Sequence, residues 1–344
     1  MEVSDNINLI KKKKKYGEFA LKNKIKRKIF LQRLFIIIAF FISLMILFII
    51  ITKNKSVNNI MNIIINSNKK SKTKVALCTI AKKENRYIKY FIEFYKKLGF
   101  NHIYFYDNNE TGDESIDDLQ IVKDGIKEGY ITVINYKDKK LSLVTETYYD
   151  CYERYNLEYD WISFLDVDEF LILEPKGSSI QEFLENPRLN DCDNVKFNWR
   201  VFNDNDQLDF EDRPLMERFP FETTFQIENR HVKSTVRGGL NYKNYTKNNS
   251  PHSLWIDIKA CSSSGNKTDG NYFLWPPDFQ YASLNHYVTK SVREFFTKKY
   301  KTGVNVDTIS QATKDYLFNY FFKVNKKTKE KVDIFNQIYH TNYQ

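Results

Sequence analysis

Three carboxylates interrupt an apolar run. In WISFLDVDEFLIL, Trp161–Leu173, the residues Asp166, Asp168 and Glu169 sit inside a stretch that otherwise reads as one buried β-strand. Burying a carboxylate is costly unless a positive charge meets it. Side chains at i and i+2 of a strand share a face, so Asp166 and Asp168 point together while Val167 turns into the core. Two hard oxygen donors with open positions beside them suit Mg²⁺ or Mn²⁺ held jointly with a diphosphate. The positive partner expected here is therefore a divalent cation. Glu169 falls on the opposite face, where backbone amides or a basic side chain are its expected partners. The same spacing recurs at Asp191–Asp193 and Asp204–Asp206, in segments that read as loops. What distinguishes Asp166–Asp168 is the apolar strand that precedes it.

The elements upstream explain how such a cluster is positioned. Val75–Ile80 is a short apolar strand without a polar face, as in a parallel sheet. Ile88, Phe91, Ile92, Tyr95 and Leu98 follow at helical spacing, and Gly99 is placed as the C-cap. The strand His102–Tyr106 completes a βαβ unit. A short helix over Ser115–Gly125, the strand Tyr130–Tyr136 and a helix over 141–156 then lead to Trp161. This alternation predicts an α/β fold with an open, mainly parallel sheet, whose ligands bind at the carboxyl ends of the strands. The clusters Lys82–Asn85, Asp107–Glu110 and Asp166–Glu169 all fall at such ends and face one crevice. Beyond Pro175 the texture turns to loops and short strands, at Asn194–Trp199, Phe225–Ile227 and His231–Val236, and from Ser291 onward the pattern is helical.

The charge is unevenly distributed. Of the net +10 over 344 residues, residues 1–33 contribute eleven Lys/Arg against three acids, or +8, leaving about +2 for the rest. A nucleic-acid binder keeps its basic surface on the folded domain; here it lies on a tail, so no nucleic-acid partner is expected. The tail runs into Leu34–Ile51, eighteen residues without a charge. At helical rise that run spans about 27 Å, one hydrocarbon core. A cleaved signal peptide has a short n-region and an apolar stretch of about 7–15 residues, unlike this run. The excess of Lys/Arg before the span predicts a cytosolic N-terminus and a lumenal bulk. The expected organisation is a basic cytosolic tail (1–33), a transmembrane signal anchor (34–52), a stem (53–73), a catalytic domain (74–300) and a C-terminal helical extension (301–344). A lumenal location permits disulfides, and Cys78, Cys151, Cys192 and Cys261 allow three pairings, with Cys78 and Cys151 also readable as buried thiols. Sequons occur at Asn54, Asn109, Asn244, Asn248 and Asn266.

The order of these residues resembles glycosyltransferase family 92 and its family 2-like relatives, which share the GT-A fold. The resemblance is carried by Lys82 or Lys83, Glu84, Tyr87, Ile88 and Gly99, by Tyr106-Asp107-Asn108, and by Trp161 with Asp166, Asp168, Glu169 and Phe170. It continues through Arg230–Arg237, Pro251-His252 and Asn285–Phe295, covering roughly residues 74–300. It implies a Rossmann-like GT-A domain on a type II membrane protein of the Golgi or ER. The implied activity is an inverting transferase that uses a nucleotide-sugar, expected to be a UDP-sugar, on a glycan or glycoconjugate acceptor. Mn²⁺ or Mg²⁺ on Asp166 and Asp168 would neutralise the departing diphosphate, with His252 or His286 as the third ligand. Lys233 and Arg237, four apart on a strand, share a face and are expected to bind diphosphate oxygens, and Lys290 is a similar candidate. Glu84 and Asp107 are expected at the nucleoside. Inversion needs a general base, and within Asp209–Glu217 the family-like context belongs to Glu217, although a charged surface loop explains that run equally well.

Two other classes compete. A haloacid-dehalogenase-like phosphatase also ends a strand in Asp-x-Asp, but there the motif opens the domain, whereas about ninety folded residues precede it here. A membrane-anchored glycan-binding protein of the same fold, without turnover, is the second.

Overall fold

The computed structural model describes residues 33–46, 49, 73–137, 144–301 and 310–344. The chain divides into two units, Met1–Lys70 and Ser71–Gln344. In the first, residues 33–46 are helical. Among the described residues no helix is long and apolar enough to cross a membrane, so the anchor expected over 34–52 is not shown. The end of that run, the tail before residue 33 and the stem up to residue 72 lie outside the described residues.

The second unit is a mixed α/β fold. The strands β1 (Val75–Ala81), β2 (His102–Asp107), β3 (Ile131–Asn135) and β4 (Trp161–Phe164) form its parallel half. The remaining strands are β5 (Glu169–Leu173), β6 (Asn194–Val201), β7 (Val232–Arg237), β8 (Ala260–Ser262), β9 (Lys267–Thr268) and β10 (Ala282–His286). The sheet order is β3-β2-β1-β4-β7-β6-β10-β5, with β8 on β6 and β9 on β8. Beyond β4 the sheet is mixed: β7 is antiparallel to both β4 and β6, while β10 is parallel to β6 and antiparallel to β5.

The apolar character of β1 on both faces has a direct cause. Val75 and Leu77 enter one core with the helix α1 (Asn85–Leu98), while Ala76 and Cys78 enter a second core beneath the helix α3 (Val144–Tyr155). Between them lies α2 (Gln120–Lys127). Gly99 caps α1 at φ 102°, a left-handed conformation that glycine adopts without a Cβ penalty. All four cysteines are paired, Cys78 with Cys151 and Cys192 with Cys261. The first bond ties β1 to α3, so these are not free buried thiols.

Two expected elements differ. Phe225–Ile227 is not a strand; a 3₁₀ turn occupies Gln226–Arg230. Trp161–Leu173 is not one strand but β4 and β5, which lie in different parts of the sheet. Leu165 N–H still bonds the Cys78 carbonyl at 3.2 Å, and then Glu169 N–H turns back to the Asp166 carbonyl at 3.0 Å. Asp166 and Asp168 therefore sit in a turn rather than on one pleated face. The turn presents Asp166 to Lys233 of β7 and Asp168 to Lys290 of the loop after β10. Toward the C-terminus α4 (Ile180–Leu184) and α5 (Leu215–Arg218) are short, and α6 (Val292–Lys301), α7 (Gln311–Val324) and α8 (Lys329–Tyr339) build a separate aromatic core around Phe296, Phe321 and Phe335. Lys331, buried on α8, pairs with Asp204 at 2.7 Å and Asp206 at 2.7 Å, which fastens these helices to the loop after β6.

Candidate active site

Two lysines meet the carboxylates. Asp166 accepts from the Tyr148 hydroxyl at 2.7 Å and pairs with Lys233 Nζ at 2.8 Å. Asp168 accepts from Lys290 Nζ at 2.6 Å, and His286 Nε2 stands 3.7 Å from its other oxygen. Glu169, fully buried, accepts from Trp199 Nε1 at 2.7 Å and from Asp166 N–H at 2.8 Å, with Lys233 at 3.6 Å. Backbone amide and basic side chain are thus the partners of Glu169, as its position in the sequence suggests. Burial opposes ionisation of Asp166, yet Lys233 and Tyr148 hold its carboxyl at about 2. Burial likewise opposes Asp168, and Lys290 with His286 holds it below the usual carboxylate range. For Glu169 burial wins and pushes the carboxyl well up, against the pull of Lys233. The positive charge expected from a metal is supplied in this state by Lys233 and Lys290. Lys290 sits in the left-handed region, φ 53°, a conformation that costs a non-glycine residue about 1–3 kcal/mol and is held only where surroundings dictate it.

A cleft of about 350 Å³ opens over this cluster. Of the residues singled out in the sequence, Glu84, Asp166, Asp168, His252, His286 and Lys290 line it. Lys233 lies just beneath, 1 % exposed and committed to Asp166 and Glu169 rather than open to a ligand. Arg237 is on the same face of β7, but four residues of strand separate them by about 13 Å. Its guanidinium donates to the carbonyls of Cys192 at 3.0 Å and Leu189 at 3.3 Å and lies over the Trp161 ring. Asp107 is buried and accepts from Asn109 N–H, Ser115 Oγ and Ile116 N–H, so it caps the turn after β2, and its neighbour Asn108 lines the cleft instead. Glu217 is exposed on α5, outside the cleft. The adjacent Arg218 is fully buried and clamps Glu294 at 2.5 Å; Glu294 also accepts from Tyr87 and lines the cleft. Sequence reasoning missed Glu294, Tyr148 and Trp199. Glu294 lies within the Asn285–Phe295 segment and was findable there; an aromatic in an amphipathic helix or an apolar strand, as Tyr148 and Trp199 are, carries no such mark.

Three imidazoles surround Trp199, with ring centroids at 4.8 Å for His231, 5.1 Å for His252 and 4.1 Å for His286. Burial is the main reason all three stay neutral, His252 and His286 at about 4 and His231 at about 3. His252 Nδ1 donates to the Val232 carbonyl at 3.0 Å, which leaves Nε2 as the lone-pair nitrogen. Ligands on neighbouring vertices of an octahedral Mg²⁺-type ion lie about 3 Å apart, close to the 3.7 Å between Asp168 and His286. The carboxylates are hard oxygen donors that suit Mn²⁺ or Mg²⁺, and an imidazole beside them suits a borderline first-row metal, so the mixed set fits Mn²⁺ better than Mg²⁺. Among the described residues no three His, Cys, Asp or Glu side chains already surround a common point. Lys290 holds Oδ2 of Asp168, and Oδ1 is the oxygen that faces His286.

Against known families, the chain matches Glycosyltransferase family 92 over residues 72–340. The chain belongs to glycosyltransferase family 92. The match extends through the three C-terminal helices, beyond the 74–300 span on which the resemblance was read. A glycosyltransferase family 92 protein of Ricinus communis is 25 % identical over 112 residues, 33 % of this chain and 19 % of that one. The chain thus spans about a fifth of the curated relative it matches. Among solved structures it is similar to Staphylococcus aureus TarS 1–349 in complex with UDP, at 12 % identity and TM-score 0.36, over 77 % of this chain and 79 % of that one. It is also similar to the galactosyltransferase LgtC in complex with donor and acceptor sugar analogs, at 11 % identity and TM-score 0.23, over 47 % and 57 %.

Proposed function

We propose that the Ser71–Gln344 unit of this family 92 member is an inverting glycosyltransferase of the GT-A type. It moves a sugar from a UDP-sugar to a hydroxyl of a glycan or glycoconjugate, with Mn²⁺ or Mg²⁺ as cofactor. The observation that carries the reading is the convergence of Asp166, Asp168, His252, His286 and Lys290 on one cleft of about 350 Å³. Asp166 and Asp168, with His286 or His252, would hold the metal, which when bound supplies Lewis acidity to the leaving diphosphate. Tyr148 and Lys233 fix the orientation of Asp166. Lys290, released from Asp168, carries its charge to the diphosphate oxygens. Glu84, at the N-cap of α1, and Asn108, just after β2, line the cleft and would meet the nucleoside. Glu294 is held ionised by Arg218 and Tyr87 against burial, which makes it a weak proton acceptor, so it positions the wall and leaves the base role to another group.

The proposal extends to topology: a type II protein anchored by 34–52, with this unit in the Golgi or ER lumen. Two disulfides joining all four cysteines support an oxidising compartment. The test of the activity is hydrolysis of UDP-sugars by the full-length chain, with Mn²⁺ and with a chelator. Metal-dependent release of UDP is expected. UDP binding without turnover on any donor or acceptor would leave a glycan-binding protein of this fold.

A further inference from the structure

A second hollow, of about 430 Å³, opens beside the cleft, and Trp199, Val288 and Phe295 stand in the walls of both. Its far wall is α7, which lays Tyr316 and Tyr320 along it; Glu228, His231 and Thr313 are its other polar members. Tyr316 is 64 % exposed and its ring stacks on that of Tyr320, centroids 6.0 Å apart at 22°. Apolar aromatic walls with a few convergent polar groups are the usual lining of a small-ligand site. An aromatic platform edged by a carboxylate suits a pyranose, whose C–H face packs on the ring while its hydroxyls donate to the oxygens. The one carboxylate, Glu228, together with a neutral His231, disfavours an anionic sugar. Burial first, then the Glu228 charge, pushes the Tyr320 hydroxyl up. A third hollow also borders the cleft, through Glu294; Lys83 pairs there with Asp113 at 3.0 Å and Arg293 with Asp209 at 2.9 Å.

We propose that the hollow between Trp199 and α7 is the acceptor subsite and takes a neutral pyranose stacked on Tyr316 and Tyr320, its hydroxyls on Glu228 and His231. This rests on the transferase reading, and it gives the C-terminal helices a role in substrate choice. The test is saturation-transfer NMR on the full-length chain with lactose, N-acetyllactosamine and chitobiose, and with sialyllactose as the anionic counterpart. UDP affinity is measured in parallel by calorimetry. At least one neutral disaccharide is expected to bind. Tyr316→Ala should weaken it about tenfold, Tyr316→Phe should retain it, and UDP affinity should be the same in all three proteins. Tyr316 is exposed, so both variants are expected to fold, which circular dichroism checks. The proposal is overturned if no neutral disaccharide binds at millimolar concentration, if only sialyllactose binds, or if Tyr316→Ala leaves binding unchanged. Tyr316-dependent saccharide binding without UDP binding would sink the transferase reading and keep the subsite; UDP binding without it would sink this proposal alone.

Discussion

Asp168 holds a lysine, and that changes what a single substitution does. Removing one partner of a buried ion pair leaves the other charge unpaired, at a cost of about 3–5 kcal/mol. Asp168→Asn should therefore lower the melting temperature as well as turnover, since Lys290 is 4 % exposed. Adding Lys290→Met removes the stranded ammonium, so the double variant should recover most of the stability in a thermal melt. Turnover should stay down by at least about 10²–10³, the scale of one lost electrostatic contact at a reacting centre, because the double variant lacks both Asp168 and the Lys290 charge assigned to the diphosphate. A double variant that regains turnover would show that Asp168 serves folding alone. The three histidines around Trp199 make a second prediction. In the unfolded chain they take up protons near 6.5, whereas in the fold burial delays this to about 4 for His252 and His286 and about 3 for His231. The unfolded state thus binds more protons between these values, so stability is present above 6.5 and is lost as pH falls toward 4. Melts in chelator across that window should show the decline, and His231→Phe should flatten it. A slope unchanged by that variant would exclude His231 as a cause and leave the decline to His252, His286 and the carboxylates.

At the scale of elements, the disulfide Cys78–Cys151 closes a loop with a sequence separation of 73 and binds β1 to the helix that carries Tyr148. A loop of that length implies about 4 kcal/mol from unfolded-state entropy. Replacing both cysteines by alanine should reduce the urea midpoint accordingly, and should also weaken turnover at temperatures well below the melt, because Tyr148 orients Asp166. An equal midpoint in reduced and oxidised protein would contradict this. The upstream strands and helices were legible because their periodicities are local: β1, α1 and β2 follow from apolar spacing and Gly99. The break between β4 and β5 was not, because an apolar run reads alike whether it is one strand or two. Nor was the 3₁₀ turn at Gln226–Arg230, whose aromatic start reads as β.

For the molecule as a whole, the charge asymmetry around Leu34–Ile51 makes a topological prediction. In sealed microsomes a tag at the C-terminus should resist protease and one at the N-terminus should be digested; the reverse pattern would refute the proposed orientation. The amino-acid sequence by itself determined the α/β class, the family and the cluster Asp166–Glu169, because alternation of elements and the residues of a motif are local in the chain. It also named most of the cleft, since Glu84, His252, His286 and Lys290 lie in segments carried by the family resemblance. Tertiary structure alone decided which charges meet. Lys233 is 67 residues from Asp166 and Lys290 is 122 from Asp168, and the antiparallel insertion of β7 beside β4 brings the first of these pairs together. The same spacing that put Arg237 on the face of Lys233 carried it to the other end of the strand. Glu217 and Arg218 are adjacent in sequence, yet helix geometry turns one to solvent and buries the other against Glu294. Pair energies depend on distance and burial, and neither is written in a linear order of residues.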